Sequence, residues 1–84
     1  MDTARFQRPK PDPEIFMVAM RDLGLSPRDC WVVEDSLAGI RAARAAGCFT
    51  VGITTTFDAG SLAAAGADLI VKSFQELRSA LEKL

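Results

Sequence analysis

Apolar and polar positions divide this chain into seven short predicted elements. Helical spacing or a high alanine content predicts helices at residues 12–23, 36–47, 61–65 and 74–84. Three apolar runs between them, at residues 30–33, 49–53 and 68–71, favour β-strands because of their branched and aromatic side chains. Asp12 and Pro13 suit the start of the first helix, and Gly24 suits its end.

The alternation of helices and strands predicts an α/β fold with three parallel strands in right-handed βαβ units. The run Trp31-Val32-Val33 is apolar on both faces, which is typical of a central strand covered by helices on both sides.

Size and charge narrow the functional classes. The chain has 84 residues, 49% of them hydrophobic, and a net charge of −1, so it can form one small domain and carries no basic footprint for nucleic acid. No apolar run approaches the roughly 20 residues that span a bilayer, and the N-terminus lacks the apolar core of a signal peptide. We therefore expect a cytoplasmic protein without a membrane or nucleic-acid partner.

The residue types restrict the chemistry further. Cys30 and Cys48 each adjoin an apolar run and are expected to be reduced core thiols. Histidine is absent, which excludes Ser-His and Cys-His nucleophile pairs and histidine zinc sites. Catalytic groups must come from Asp, Glu, Lys, Ser or Thr.

Glu34 and Asp35 are the most informative residues, because they lie between a predicted strand and a predicted helix. Ligands of open parallel sheets bind outside the carboxyl ends of the strands, and paired carboxylates there suit Mg²⁺. The alternative is an acidic pair that complements the helix dipole. Ser36 is expected to cap the helix rather than to contact phosphate, and residues 54–56, three threonines, either line a site or form a plain loop.

Two segments resemble motifs of the haloacid dehalogenase (HAD) superfamily. One begins at Lys10 (Lys-Pro-Asp-Pro-Glu-Ile-Phe) and the other at Val32 (Val-Val-Glu-Asp-Ser-Leu-Ala-Gly-Ile). The nearest branch is that of the β-phosphoglucomutase-like phosphatases and mutases, and the resemblance runs from about residue 8 to the C-terminus. It implies a partial Rossmann-like core.

The resemblance also implies Mg²⁺-dependent phosphoryl transfer on phosphorylated small molecules through an aspartyl-phosphate. Lys10 would offset the negative charge of the nucleophile and the phosphoryl group. Asp35 would bind Mg²⁺ directly, and Glu34 would act directly or through a water. Ser36 is the remaining candidate for a substrate contact.

Several parts of the family pattern are missing from this sequence. The strand with the nucleophile motif Asp-x-Asp-Gly-Thr, the following Ser/Thr motif and the cap domain have no counterpart, and Pro9 stands where a glycine commonly precedes the lysine. We therefore expect an irregular segment at residues 1–8 and the C-terminal half of a HAD core at residues 9–84, inactive alone. The alternative is a non-catalytic, truncated paralogue that binds itself or a partner.

The missing strand has a structural consequence. In the family it pairs with the strand that corresponds to residues 30–33, from Cys30 to Val33, so this apolar strand would become a sheet edge. Exposed apolar edges favour pairing with another chain. We therefore expect either a dimer formed through this edge, with or without exchanged segments, or a poorly soluble chain.

Overall fold

Three parallel strands make up the sheet of the computed structural model, which describes residues 8–84. The strands are β1 (Trp31–Glu34), β2 (Phe49–Ile53) and β3 (Leu69–Val71), side by side in chain order. The helices are α1 (Glu14–Leu23), α2 (Leu37–Ala45), α3 (Ala59–Ala65) and α4 (Phe74–Glu82), with a 3-10 turn at Pro27–Asp29. The predicted α/β class with three parallel strands is confirmed.

Within the described sheet, β2 is the central strand and β1 is an edge. All residues of β2 except Phe49 are buried, whereas all four residues of β1 are only half-buried. The apolar run Trp31-Val32-Val33 predicted a central strand, and for the described sheet that prediction is wrong, because β2 occupies the centre and is covered on both faces. In this sheet the one strand next to β1 is β2.

The helix and strand boundaries either match the predicted ones, as for β2, or differ from them by one or two residues. β1 begins after Cys30 and includes Glu34, because Glu34 pairs in register with Gly52 of β2. α3 begins at Ala59 rather than at residue 61, because the Asp58 carboxylate accepts a hydrogen bond from the Ser61 N–H at 2.7 Å.

Two further predictions concern the start of the first helix and the irregular segment at residues 1–8. α1 begins at Glu14, two residues after the predicted start at residue 12, although the Asp12 carboxylate does accept the Glu14 N–H at 3.0 Å. The predicted irregular segment, residues 1–8, lies outside the described residues except for the exposed Arg8.

Each face of the sheet packs against different helices. On one face, Val51, Ile53 and Val71 form a cluster with Leu77 of α4. The opposite face packs against α1, α2 and α3 through two further clusters, and their fully buried side chains are those of Ile40 and Leu62. The core therefore has one layer on each side of β2.

Gly52 of β2 allows α2 and α3 to approach the sheet closely. A Cβ at this position would lie 3.2 Å from the Leu62 Cβ and 3.3 Å from the Ile40 Cδ1. The alanine-rich surface of α2 contributes to the same approach, since Ala42 and Ala43 are fully buried. Within residues 8–84, no helix has the length and apolar character needed to cross a membrane.

Candidate functional site

The carboxyl end of β1 carries the acidic pair. Glu34 is the last residue of the strand, and Asp35 follows it before the first turn of α2. Glu34 is half-buried, whereas Asp35 is exposed. The two carboxylates therefore lie where ligands bind in open parallel sheets, but in different environments.

Lys10 reaches the Glu34 carboxylate from the loop before α1. Its Nζ donates to Glu34 Oε2 at 3.1 Å, and the two side chains are 34% and 14% exposed. The same Nζ lies 5.4 Å from the centre of the Phe16 ring. The structure thus brings together two predicted site residues that are 24 positions apart, as a partly desolvated ion pair.

Ser36 connects Glu34 to the start of α2. Its Oγ accepts the Gly39 N–H at 2.9 Å and donates to Glu34 Oε1 at 3.3 Å. Ser36 is therefore the N-cap of α2, as predicted. Its hydroxyl acts both as a donor and as an acceptor of hydrogen bonds within the chain. Its predicted contact with substrate stays a prediction.

Gly39 makes room for the Glu34 side chain over the first turn of α2. A Cβ at this position would overlap the Glu34 carboxylate and would lie 2.8 Å from the Ser36 Oγ. The need for glycine here follows from contact with a side chain, since Gly39 is not among the glycines with positive φ. Gly39 lies in the segment that begins at Val32, but the sequence pattern predicted no role for it in the site.

Asp35 contacts a different element, the turn after β2. Its Oδ2 accepts a hydrogen bond from the Thr56 hydroxyl at 3.1 Å and a longer one from the Thr55 hydroxyl at 3.4 Å. The sequence was consistent with residues 54–56 either lining a site or forming a plain loop. In the structure, two of these three threonines contact a predicted site residue.

The donor set can be compared with the needs of Mg²⁺. Mg²⁺ is often held by one or two carboxylates, with water and substrate phosphate as the other ligands. Both oxygens of Glu34 already accept hydrogen bonds, whereas Oδ1 of Asp35 accepts none from any residue in the range 8–84. The same range contains no cluster of three Asp, Glu, Cys or His side chains that could hold a metal ion. The residues present therefore fit part of a hard-cation site, with Asp35 better suited to direct contact.

Comparison with known proteins identifies relatives of this chain. The family model for haloacid dehalogenase-like hydrolases matches residues 2–47, a range that includes Lys10, Glu34 and Asp35. The chain is 39% identical over 77 residues to β-phosphoglucomutase of Bacillus subtilis, covering 92% of this chain and 32% of that protein. It is 48% identical over 71 residues to validoxylamine A 7'-phosphate phosphatase of Streptomyces hygroscopicus subsp. limoneus, covering 84% of this chain and 32% of the phosphatase.

A solved structure has the same fold in this region. The HAD family hydrolase of Deinococcus radiodurans R1, solved with bound phosphate and sodium, superposes with a TM-score of 0.83 at 36% sequence identity. The superposition covers 90% of this chain and 35% of that one. The chain thus spans about a third of the length of the relatives that it matches.

Proposed function

The chain belongs to the haloacid dehalogenase-like hydrolases, and from that premise we propose that it forms the C-terminal half of a phosphoryl-transfer core. Residues 9–84 would supply the electrostatic part of the site, and a segment with an Asp-x-Asp motif would supply the nucleophile. The complete enzyme would act on phosphomonoesters of small molecules, as a phosphatase or a phosphosugar mutase. Relatives of both kinds match the chain.

The observation that carries this proposal is the pairing of Lys10 with Glu34 beside Asp35 at the carboxyl end of β1. Phosphoryl transfer depends mainly on positioning and on neutralising charge at the phosphoryl oxygens. A lysine within 3.1 Å of a carboxylate that is 14% exposed has a defined position, unlike a lysine free in solvent. Lys10 would thus present its charge to the phosphoryl group while Glu34 holds it.

Mg²⁺ is the cofactor in this proposal, with Asp35 as its direct ligand and Glu34 acting directly or through a water. When bound, the ion neutralises negative charge on the phosphoryl oxygens. The residues of the chain have separate roles: Asp35 supplies an open oxygen, Lys10 supplies a fixed positive charge, and Ser36 orients Glu34. To contact substrate, the Ser36 hydroxyl would have to give up its hydrogen bond to Glu34 or the one from Gly39.

The sequence contains no Asp-x-Asp-Gly-Thr motif, so we expect the chain to be inactive alone. We would test this with a generic phosphomonoester and Mg²⁺, using the chain alone and the chain mixed with the N-terminal two-thirds of the Bacillus subtilis relative. Hydrolysis should require both pieces and should disappear with Asp35→Ala in this chain. Lys10→Met should reduce turnover by about 10²-fold or more, since it removes a charge that acts in the transition state.

Two outcomes would contradict the proposal. Turnover by the chain alone that vanishes in Asp35→Ala would mean that a nucleophile is present here. Turnover of the mixture that survives Asp35→Ala would remove the acidic pair from the site.

A second candidate function, a self-pairing or partner-binding module, is favoured by one observation. The β1 edge is unpaired in the described sheet, and Trp31 stacks on Phe49 with ring centres 4.4 Å apart on a half-covered surface. In this proposal two chains would associate through residues 30–33. The free thiols Cys30 and Cys48 are compatible with the cytoplasmic location that we propose for either function.

A further inference from the structure

We propose that Thr56, assisted by Thr55, is a positioning residue that holds the Asp35 carboxylate in one orientation with Oδ1 turned to the ligand. This inference rests on the proposed function, because it assumes that Asp35 meets a cation or a phosphorylated ligand. Neither threonine needs to touch that ligand. Their role is to determine which oxygen of Asp35 is available.

The turn that carries the two hydroxyls is held at both ends. Before it, the Thr54 N–H donates to the Val71 carbonyl at 3.0 Å, which ties the end of β2 to β3. After it, the Asp58 carboxylate caps α3 through the Ser61 N–H at 2.7 Å. The hydroxyls of Thr55 and Thr56 therefore extend from a backbone that is fixed on either side, and not from a free loop.

Both hydroxyls donate to the same oxygen of Asp35. The Thr56 bond is 3.1 Å long and the Thr55 bond 3.4 Å, so Thr56 makes the stronger contact. An exposed aspartate without such partners exchanges among staggered rotamers, and binding a ligand must then overcome the entropy of ordering it. Two donors on Oδ2 select one rotamer before any ligand arrives.

The expected loss of metal affinity can be judged from other residues that orient metal ligands. Removing a residue that orients a metal-binding carboxylate or histidine commonly weakens metal binding by about 10–100-fold. The hydroxyls here are exposed and both bonds are longer than is usual for a hydroxyl donor, so we expect the lower end, about 10-fold for Thr56→Val and less for Thr55→Val.

The decisive experiment measures the rotamer of Asp35 directly in the 84-residue chain. Three-bond NMR couplings across the Asp35 Cα–Cβ bond should report one rotamer in the wild type and averaged values in the Thr55→Val/Thr56→Val double variant. Thr54→Val is the matched control, because it removes a neighbouring hydroxyl that makes no hydrogen bond to Asp35 within residues 8–84. Thr56→Ser, with Thr55 intact, keeps the hydroxyl and should show the same single Asp35 rotamer as the wild type.

Titration with Mn²⁺, followed by the electron paramagnetic resonance signal of the free ion, gives a second readout. Binding should be lost in Asp35→Asn and weakened in the order Thr56→Val, Thr55→Val, Thr54→Val, the last being close to wild type. Absence of Mn²⁺ binding in the wild type would count against the metal site of the proposed function. Averaged couplings in both the wild type and the double variant would overturn the positioning role. A single Asp35 rotamer in both proteins would overturn it as well.

Discussion

At the scale of single residues, Gly39 controls the position of the Glu34 carboxylate. The side chain of Glu34 lies over the first turn of α2, in space that a Cβ at position 39 would occupy. Its two oxygens then reach Lys10 and Ser36. A glycine in a helix usually lowers stability, and here it makes room for a contact between a strand residue and a helix within the proposed site.

Gly39→Ala should therefore displace Glu34 and break its contact with Lys10. We expect a loss of about 1–3 kcal/mol in the free energy of unfolding, as for other overpacked positions, measured by urea denaturation. Gly60→Ala is the matched control, since its Cβ would meet only the Asp58 Oδ1, at the ordinary distance of 3.6 Å. That variant should gain up to about 1 kcal/mol from helix propensity. Equal effects of the two substitutions would refute the steric role of Gly39.

The two cysteines should differ in reactivity. Burial, with a smaller contribution from nearby Cys30, raises the pKa of the Cys48 thiol above its ordinary value of 9.0. Cys30 is half-buried and more accessible. Iodoacetamide at about pH 8 should modify Cys30 first and Cys48 only in urea, because the thiolate is the reactive form. Peptide mass spectrometry would detect the order, and simultaneous modification in the native chain would contradict it.

At the scale of elements, Asp68 links α2, β2 and the start of β3. Its carboxylate accepts the Thr50 N–H at 2.8 Å and pairs with Arg44 at 2.9 Å. Thr50 is fully buried, whereas the Arg44 side chain is 59% exposed. The two contacts should therefore differ in their contribution to stability.

Asp68→Ala should cost about 1–3 kcal/mol of unfolding free energy, because it removes the acceptor of a buried N–H. Arg44→Met should cost at most about 1 kcal/mol, because it removes only an exposed ion pair and leaves the Asp68 contact to Thr50 in place. Urea denaturation of both variants would give the comparison. A larger loss for Arg44→Met would mean that the ion pair, and not the backbone contact, holds these elements together.

The cap of α3 makes stability depend on pH. The hydrogen bond from the Ser61 backbone N–H, and then that from its side chain, lower the pKa of Asp58 below the ordinary value of 3.8. A carboxyl group of this kind stabilises the fold above its unfolded-state pKa, and the contribution is lost as pH falls through the folded-state pKa. Asp58→Asn keeps a good N-cap but does not titrate there.

Stability of the wild type should thus fall more steeply than that of Asp58→Asn from about pH 4 downward. Thermal unfolding followed by circular dichroism over this pH range would measure the two slopes. Parallel curves would show that the charge of Asp58 does not contribute.

Local pattern predicted elements better than it predicted contacts. The bounds of β2 match the prediction at both ends, because an apolar run rich in branched residues is preceded by a helix end and followed by three threonines. α3 was predicted to start too late, since its cap, Asp58, precedes a glycine-containing turn that resembles a loop. The contact between Thr56 and Asp35 spans 21 positions and depends on strand order and register, which no local pattern contains. The same applies to the overlap of Gly39 with Glu34.

At the scale of the whole molecule, the sheet has an exposed apolar side. Trp31 and Val33 of β1 pack only partly against the cluster under α4, and Phe49 beside them is 37% exposed. An unpaired strand next to such a surface favours association with another strand.

Val33→Lys should reduce self-association, because a lysine on an edge strand opposes pairing and its stem still covers apolar surface. Light scattering coupled to size exclusion should give a mass that rises with concentration for the wild type and stays monomeric for the variant. Leu81→Lys is the matched control, since Leu81 is an exposed apolar residue on α4, the helix that packs on β3, and not on the edge strand. A wild type that is monomeric at all concentrations would exclude the edge as an interface in the isolated chain.

The strands lie in the sheet in the same order as in the chain, and this has a consequence for synthesis on the ribosome. β2 and β3 each pair with the strand made just before them, so the described sheet can assemble as its strands emerge. The face formed by Val51, Ile53 and Val71 is covered by Leu77, which is translated after all three strands. A nascent chain stalled before α4 would therefore expose an apolar surface on an otherwise complete sheet, and this interval is when chaperones would be needed most.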